Sequence, residues 1–210
     1  MIPNDLKQYV EQEIIPRYAA FDKAHSVTHV QTVIAESMAL AALFPNEVDE
    51  RMVYTIAAYH DTGLCEDRKT HHLISGRILM ADKTLQRWFS HTEMTIMKEA
   101  VEDHRASADP EPRSLYGRIV AEADRIIDAD ITLRRTVQYG LKQSPDADAT
   151  WHYHRFHQHL MEKYAPGGYL KLYFPHGKNA ERLRALQSII ADEKLLHETF
   201  TRLFHEEQNK

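Results

Sequence analysis

Apolar residues recur three or four positions apart along most of the chain, which is the spacing of helices that bury one face. The first such stripe covers residues 6–15 and is predicted to end at Pro16, because proline cannot continue a helix. Ser26 is a suitable N-cap for a second helix, whose stripe covers residues 27–41. The pattern therefore predicts an all-α fold.

A third stripe covers residues 48–57 and leads directly to His60 and Asp61, with Gly63 expected to end the helix. Helical spacing continues through most of the remaining sequence. Further helices are predicted over residues 71–81, 90–104, 115–128, 130–142, 150–163 and 178–206.

The segment APGGYLKLYFPHG, residues 165–177, interrupts the helices with three glycines, two prolines and three aromatic residues. It is predicted to be a short insertion that is either irregular or a β-hairpin. No internal repeat, low-complexity tract or linker marks a domain boundary. We therefore predict a single globular domain over residues 1–210, with a core over about 20–130 and a C-terminal helical extension over about 131–210.

Composition narrows the choice of partners. Hydrophobic residues make up 43% of the chain, and the net charge is −5 with no basic block, so no stable nucleic-acid partner is expected. No apolar stretch is long enough to span a bilayer, and the opening MIPNDLKQYVEQEI is typical of an amphipathic helix rather than a signal peptide. The single cysteine, Cys65, fits a reducing cytoplasm. A homo-oligomer is compatible with apolar positions on the last predicted helix.

The 14 histidines are the unusual count, and several lie beside carboxylates at predicted helix ends. His60 and Asp61 close an apolar helix, where buried charge is costly unless it is paired or binds a metal. His29 lies one turn into the second helix, and Asp124 lies inside the apolar run IVAEADRII. Imidazole nitrogen and carboxylate oxygen are ligands of divalent metal ions. These four residues are therefore candidate ligands of one ion.

The pieces AHSVTHV, AAYHDTG and VAEADRI together resemble the His … His-Asp … Asp signature of the HD-domain metal-dependent phosphohydrolases, over roughly residues 20–130. The resemblance implies that helices bring four ligands to one divalent ion, and these are His29, His60, Asp61 and Asp124. We choose His29 over His25 because the first ligand of the family lies within the helix, directly before an aliphatic residue. His25 is then a candidate for a supporting position next to the ligands.

Two further segments resemble elements of family members that bind two metals. HHLISGRIL places His71, and VEDHRAS places His104, at positions where such proteins have ligands for a second ion. The resemblance then implies six ligands, with Asp61 bridging two ions. His71 follows Asp61 more closely than in most dinuclear relatives, so His71 and His104 could instead bind substrate phosphate or transfer a proton. One ion is expected, with two as the alternative.

The function implied by the resemblance is hydrolysis of a phosphomonoester or phosphoanhydride, with a nucleotide or similar small phosphate as the substrate. A bound divalent ion, which could be Mn, Mg, Fe, Co, Ni or Zn, would activate water, with Asp61 and His60 as the catalytic pair. Arg68, Lys69 and Arg105 are the cations nearest in sequence to the proposed site and are candidates for binding substrate phosphate.

Two other functions fit the same residues. A di-iron oxygenase on this scaffold would require both His71 and His104, and a metal- or nucleotide-binding regulatory module would keep the fold without the chemistry. The run WHYHRFHQHL, residues 151–160, lacks a carboxylate at ligand spacing and is predicted to be a mostly solvated helix face, with Trp151, Phe156 and Leu160 as its buried anchors.

Overall fold

The computed structural model describes residues 1–105, 111–125 and 127–209, and within these ranges the chain forms helices and loops but no β-strand. The all-α prediction is therefore confirmed, and the segment 165–177 is irregular. The α-helices are α1 (Asn4–Tyr9), α2 (Val27–Ala41), α3 (Glu50–Tyr59), α4 (His71–Ala81), α5 (His91–Glu102), α6 (Leu115–Asp124), α7 (Ala129–Gln143), α8 (Ala149–Lys163), α9 (Lys178–Ala191) and α10 (Glu193–Gln208). Shorter helical turns are Val10–Ile14, of the π type, and Ile15–Ala20, Lys23–His25, Thr62–Cys65 and Lys83–Arg87, of the 3-10 type.

The chain divides into two compact units, Met1–Arg125 and Ile126–Lys210, each with its own apolar core. The assignment of residues 1–210 to one domain stays a prediction. None of the helices in the described ranges has both the length and the apolar character needed to cross a membrane.

Helix α3 lies at the centre of the first unit, where it packs against α2, α5 and α6. Asp49 caps its start by accepting a hydrogen bond from the backbone N–H of Arg51 at 2.8 Å. All residues from 52 to 59 are buried, so the helix is apolar on every side. Because the helix ends inside the unit, His60 and Asp61 are also buried, with 0% and 3% of their surface exposed.

Helices α7 to α10 form the second unit around a core that includes Phe156, Leu160 and Phe200. The Phe156 and Phe200 rings pack with their centroids 5.2 Å apart. The predicted burial of Trp151 is wrong, because this side chain is 45% exposed and His152 is buried instead. Positions 152, 156 and 160 are four residues apart and therefore share one helix face, which position 151 does not.

Two predicted helices end earlier than their apolar stripes suggest. The stretch 178–206 is two helices, because the Asp192 side chain accepts a hydrogen bond from the backbone N–H of Leu195 (2.9 Å) and starts α10. The helix expected over 115–128 ends at Asp124, since Arg125 has φ −77° and ψ 82°, outside the helical region. Asp128 then caps α7.

The other residues at helix ends behave only partly as expected. Pro16 does not end helical structure, because it lies in the first turn of Ile15–Ala20, where a missing N–H is tolerated. Ser26 does precede α2 in an extended conformation, although its side chain makes no capping hydrogen bond. Ser114 caps α6 by accepting a hydrogen bond from the Gly117 backbone N–H at 3.2 Å.

Candidate metal centre

The end of α3 is shaped by side chains that replace backbone partners. The last carbonyl groups of a helix have no partner within the helix and need other donors. Here the carbonyls of residues 57, 58 and 59 accept hydrogen bonds from His60 Nδ1 (2.7 Å), the Tyr18 hydroxyl (2.9 Å) and Thr62 Oγ1 (2.8 Å), respectively. The chain thus leaves the helix at His60 without leaving these buried carbonyls unpaired, and the His60 ring is fixed by the first of these bonds.

Four predicted ligands meet at this point. His29 comes from the first turn of α2 and Asp124 from the last residue of α6. His29 Nε2 lies 3.2 Å from Asp124 Oδ1, 3.2 Å from His60 Nε2 and 3.6 Å from Asp61 Oδ2. His60 Nε2 lies 3.2 Å from Asp61 Oδ2 and 3.7 Å from Asp124 Oδ1. The four side chains therefore point their nitrogen and oxygen atoms toward a common centre.

A second group forms on the other side of the Asp61 carboxylate. His71 begins α4, and His104 follows the end of α5 by two residues. Their Nε2 atoms lie 3.2 Å apart and 3.3 Å and 3.5 Å, respectively, from Asp61 Oδ1. The short sequence separation between Asp61 and His71 does not prevent this convergence.

Asp61 is the residue that joins the two groups. Its Oδ2 atom faces His29 and His60, and its Oδ1 atom faces His71 and His104. In each group, donor atoms from three side chains lie within 4.8 Å of one another, and within the described residues only these two groups meet that condition. The His-rich stretch 151–160 contributes to neither group.

Gly63 allows α4 to approach the His60–Asp61 turn closely. A Cβ atom at Gly63 would lie 2.2 Å from the His71 carbonyl oxygen and 2.6 Å from the Ser75 backbone nitrogen, closer than atoms can pack. The Gly63 N–H also donates to Ser75 Oγ at 2.8 Å. The predicted role of Gly63 in ending α3 is wrong, because α3 ends at Tyr59 and Gly63 does not have a positive φ angle. Its missing side chain instead brings His71 next to Asp61.

Three of the rings are held in the tautomer that suits metal binding. Nδ1 of His60, His71 and His104 bonds the backbone carbonyl three residues earlier, at 2.7, 2.8 and 2.6 Å. A carbonyl can only accept, so Nδ1 carries the proton, and in the neutral ring Nε2 presents a lone pair. These lone pairs face each other and the carboxylate oxygens, which is repulsive unless positive charge lies between them. The donor set therefore fits a divalent cation.

The pKa values of the clustered side chains also indicate that the site favours positive charge. Burial alone would lower the pKa of His29, but Asp124 and Asp61 outweigh burial and raise this pKa to about 9. Burial would raise the pKa of Asp61, yet the neighbouring His60, His104 and His29 rings hold it well below its ordinary value.

The remaining groups follow the same balance of burial and charge. Burial would raise the pKa of Asp124, but His29 and His60 lower it. Burial would lower the pKa of His104, but Asp61 raises it. The ring of His71 is different, because burial and the charge of His104 lower its pKa to about 4. His71 is therefore neutral at physiological pH and can bind a cation without losing a proton.

The cluster is reached from solvent at two of its members. The side chains of Asp124 and His71 keep 24% and 14% of their surface exposed, whereas His60, Asp61 and His104 keep 4% or less. Solvent therefore reaches the cluster at Asp124 and His71.

Two of the three predicted phosphate-binding cations make hydrogen bonds near the second group. Arg68 Nη1 donates to Asp22 Oδ2 at 2.6 Å, and its own carbonyl accepts from His71 Nδ1. Arg105 Nη1 donates to the Lys69 carbonyl at 2.9 Å. Arg68 is thus bonded to His71 through its carbonyl, Arg105 follows His104 in the chain, and the side chains of both arginines are exposed.

His25 lies beside the first group but not in it. Its ring packs edge-on against the His29 ring at a centroid distance of 5.8 Å, and its Nδ1 atom lies 2.8 Å from Asp22 Oδ1. Arg125, which follows Asp124, is buried. Neither residue belongs to the two donor groups.

The site also contains a residue that the sequence pattern did not indicate. Tyr18 lies beyond the first apolar stripe and was not a candidate for any role, but its buried hydroxyl bonds the main chain at Asp61 (3.2 Å). The available signal was indirect: a tyrosine that follows a buried stripe and must find a partner for its hydroxyl.

Comparison with known families identifies the domain. Residues 25–128 match the family model of the HD domain, a range that contains all six residues of the two donor groups. Neither the comparison with curated proteins nor the comparison with solved structures gave a significant match. The sequence match and the buried His/Asp cluster lead to the same assignment. Through residues 25–128, the chain belongs to the HD-domain family.

Proposed function

We propose that this protein is a metal-dependent phosphohydrolase that hydrolyses a phosphomonoester or phosphoanhydride, with a nucleotide or a similar small phosphate as substrate. The observation that carries the proposal is the Asp61 carboxylate, which offers one oxygen to each of two donor groups. The HD domain supports a hydrolase-type scaffold, and the donor chemistry fits divalent cations.

The two groups would hold two ions. His29, His60 and Asp124 with Asp61 Oδ2 would bind the first, and His71 and His104 with Asp61 Oδ1 the second. Bound divalent cations lower the pKa of coordinated water toward neutrality and draw charge from a phosphoryl oxygen.

The protein itself supplies orientation and a fixed charge. The low pKa of Asp61 keeps its carboxylate negative, so it can accept a hydrogen bond from the attacking water and orient it rather than store a proton. His60 is held by its Nδ1 bond to the Ala57 carbonyl and cannot rotate away. We propose these two residues as the catalytic pair, because both are buried at the point where the groups meet.

Substrate phosphate would be bound at the exposed edge of the cluster. Lys69 and Arg105 lie on adjacent loops there, joined through the Lys69 carbonyl. The Arg68 guanidinium forms an ion pair with the exposed Asp22 carboxylate. Because exposed ion pairs are weak, Arg68 can leave Asp22 and bind a phosphate oxygen instead. These three cations would supply positive charge to a bound phosphoryl group, where charge develops during phosphoryl transfer.

The experiment is a phosphate-release screen across nucleotides and other small phosphates, with Mn²⁺, Mg²⁺ and Co²⁺ added separately to chelator-treated protein. We expect metal-dependent release that is abolished in His60→Ala and Asp61→Asn and retained in Glu66→Gln, which changes an exposed carboxylate in the next loop. Activity that survives both site substitutions would contradict the proposal. Metal binding without turnover of any substrate would favour a regulatory module instead.

A di-iron oxygenase is the second candidate, because five side chains arranged around the two oxygens of the Asp61 carboxylate also fit two irons. This function predicts about two irons per chain in the native protein and iron charge-transfer absorption. Colourless protein that is active with manganese, magnesium or cobalt would favour hydrolysis.

A further inference from the structure

Tyr18 reaches the candidate centre from outside the HD-domain match. It lies in the 3-10 turn Ile15–Ala20, whereas the match begins at residue 25. Its side chain is fully buried. The hydroxyl donates to the Ala58 carbonyl at 2.9 Å and accepts from the Asp61 backbone N–H at 3.2 Å. One oxygen atom thus bonds both sides of the turn that carries His60 and Asp61.

These two bonds act where the helix no longer determines the backbone. Asp61 has φ −110° and ψ 6°, outside the helical region, and its peptide group is buried. A buried N–H that lacks a partner is costly, so the direction of this peptide follows the available acceptor. The Tyr18 ring is itself fixed, because it packs edge-on against Phe21 (5.3 Å) and beside His60 (6.1 Å).

We propose that Tyr18 is a positioning residue, which sets the direction of the Asp61 carboxylate and thereby the placement of both donor groups. The N-terminal segment that carries Tyr18 is then part of the site, although it lies outside the HD match. This inference rests on the proposed function, since it concerns the residue that would bridge the two ions.

The hydroxyl acts through the backbone and not as a ligand. The bond to the Ala58 carbonyl requires a proton on the Tyr18 hydroxyl, because a carbonyl oxygen can only accept. A protonated hydroxyl that donates to Ala58 and accepts from Asp61 uses its one donor and one acceptor position on the main chain.

The test compares Tyr18→Phe with Tyr9→Phe in the full-length chain. Both variants lose one tyrosine hydroxyl, and that of Tyr9 donates to Asp82 Oδ2 (2.5 Å), outside the cluster. Each protein is titrated with Co²⁺ while the visible absorption is recorded, because the spectrum reports ligand geometry. Loss of a supporting hydrogen bond typically weakens metal affinity by about 10–100-fold. We expect a weakening of this size and an altered spectrum for Tyr18→Phe, and values like those of the unsubstituted protein for Tyr9→Phe.

The outcomes separate this inference from the proposed function. If the unsubstituted protein binds Co²⁺ and Tyr18→Phe binds it with the same affinity and spectrum, the role of Tyr18 is refuted while the metal site stands. If the unsubstituted protein binds no Co²⁺, the proposed site and this inference fail together.

A second measurement needs no variant and applies if Tyr18→Phe does not fold. Amide hydrogen exchange in the unsubstituted protein should show slow exchange at Asp61, because its N–H is buried and bonded to the Tyr18 hydroxyl. Exchange at the rate of an exposed amide would overturn the inference.

Discussion

Replacement of Asp61 by asparagine tests the bridging geometry with little change in side-chain volume. An amide has one oxygen that can bind a metal and one NH₂ group that cannot. In Asp61→Asn, one donor group would therefore face an NH₂ group, and the other would keep only a neutral oxygen. His71→Gln removes a ligand from the second group alone.

The expected effect on thermal stability follows from the size of the unit. Residues Met1–Arg125 form a compact unit, and at roughly 2.1 cal/mol/K per residue its entropy of unfolding is about 0.26 kcal/mol/K. An ion present at about 100 times its Kd stabilises the folded state by about 2.7 kcal/mol. Each ion should thus raise Tm by roughly 10 °C, and two ions by roughly 20 °C.

The assay is Tm by calorimetry, with and without Mn²⁺, after treatment with a chelator. The unsubstituted protein and Glu66→Gln should show the full rise, His71→Gln about half of it, and Asp61→Asn a few degrees at most. If Asp61→Asn kept the full rise, Asp61 would not hold an ion. Equal losses in His71→Gln and Asp61→Asn would refute the bridging role, because only Asp61 belongs to both groups.

Three further perturbations have defined outcomes. The pKa of His29 is raised to about 9. In metal-free protein, the contribution of His29 to stability should therefore be present below about pH 6.5 and be lost as pH rises through about 9. Measurements of Tm against pH would show this loss, and His29→Gln should make it smaller. Metal affinity should rise over the same interval, because the ion displaces the His29 proton, and titrations at pH 7 and 9 that gave equal affinity would contradict this. Gly63→Ala should lower the free energy of unfolding, measured with denaturant, by about 1–3 kcal/mol and weaken the binding of a second ion. The reason is that the new Cβ atom would lie 2.2 Å from the His71 carbonyl oxygen. Unchanged stability would refute the packing role of Gly63. Arg113→Ala removes an exposed guanidinium that contacts the Asp103 carboxylate at 2.9 Å beside His104. Because exposed ion pairs are weak, stability should fall by about 1 kcal/mol or less, and second-ion affinity should fall with it. Equal metal titrations would exclude an effect on the site.

The helical fold could be predicted because most helices have an apolar stripe and a recognisable start. Helix α4 has the predicted bounds, 71–81, and α3 is buried on every side as its continuous apolar run suggests. One error arose where a side chain competes with the helix for backbone partners. Apolar residues continue at helical spacing on both sides of Asp192, but its side chain accepts a hydrogen bond from the Leu195 backbone N–H and starts a new helix. The spacing of apolar residues cannot reveal such a local hydrogen bond.

The convergence of His29, His60, Asp61 and Asp124 could be expected from the resemblance of their sequence segments to the HD-domain signature. The same resemblance suggested His71 as a further ligand, but its contact with Asp61 depends on Gly63 admitting the start of α4, which the sequence pattern does not indicate. That contact arises from tertiary packing and cannot be deduced from the spacing of residues in the sequence.

Tyr18 was missed for a related reason. Its contact with Asp61 spans 43 residues and is made through a backbone N–H, which carries no signal of residue type. A residue that acts on main-chain atoms is visible only once the fold places it there.

A crystal structure of the protein grown with Mn²⁺, with anomalous difference density recorded at the manganese edge, would locate the bound ions. We expect two peaks, one among His29, His60 and Asp124 and one between His71 and His104, with one Asp61 oxygen directed at each. A single peak that excludes Asp61, or no peak within the cluster at saturating Mn²⁺, would contradict this arrangement.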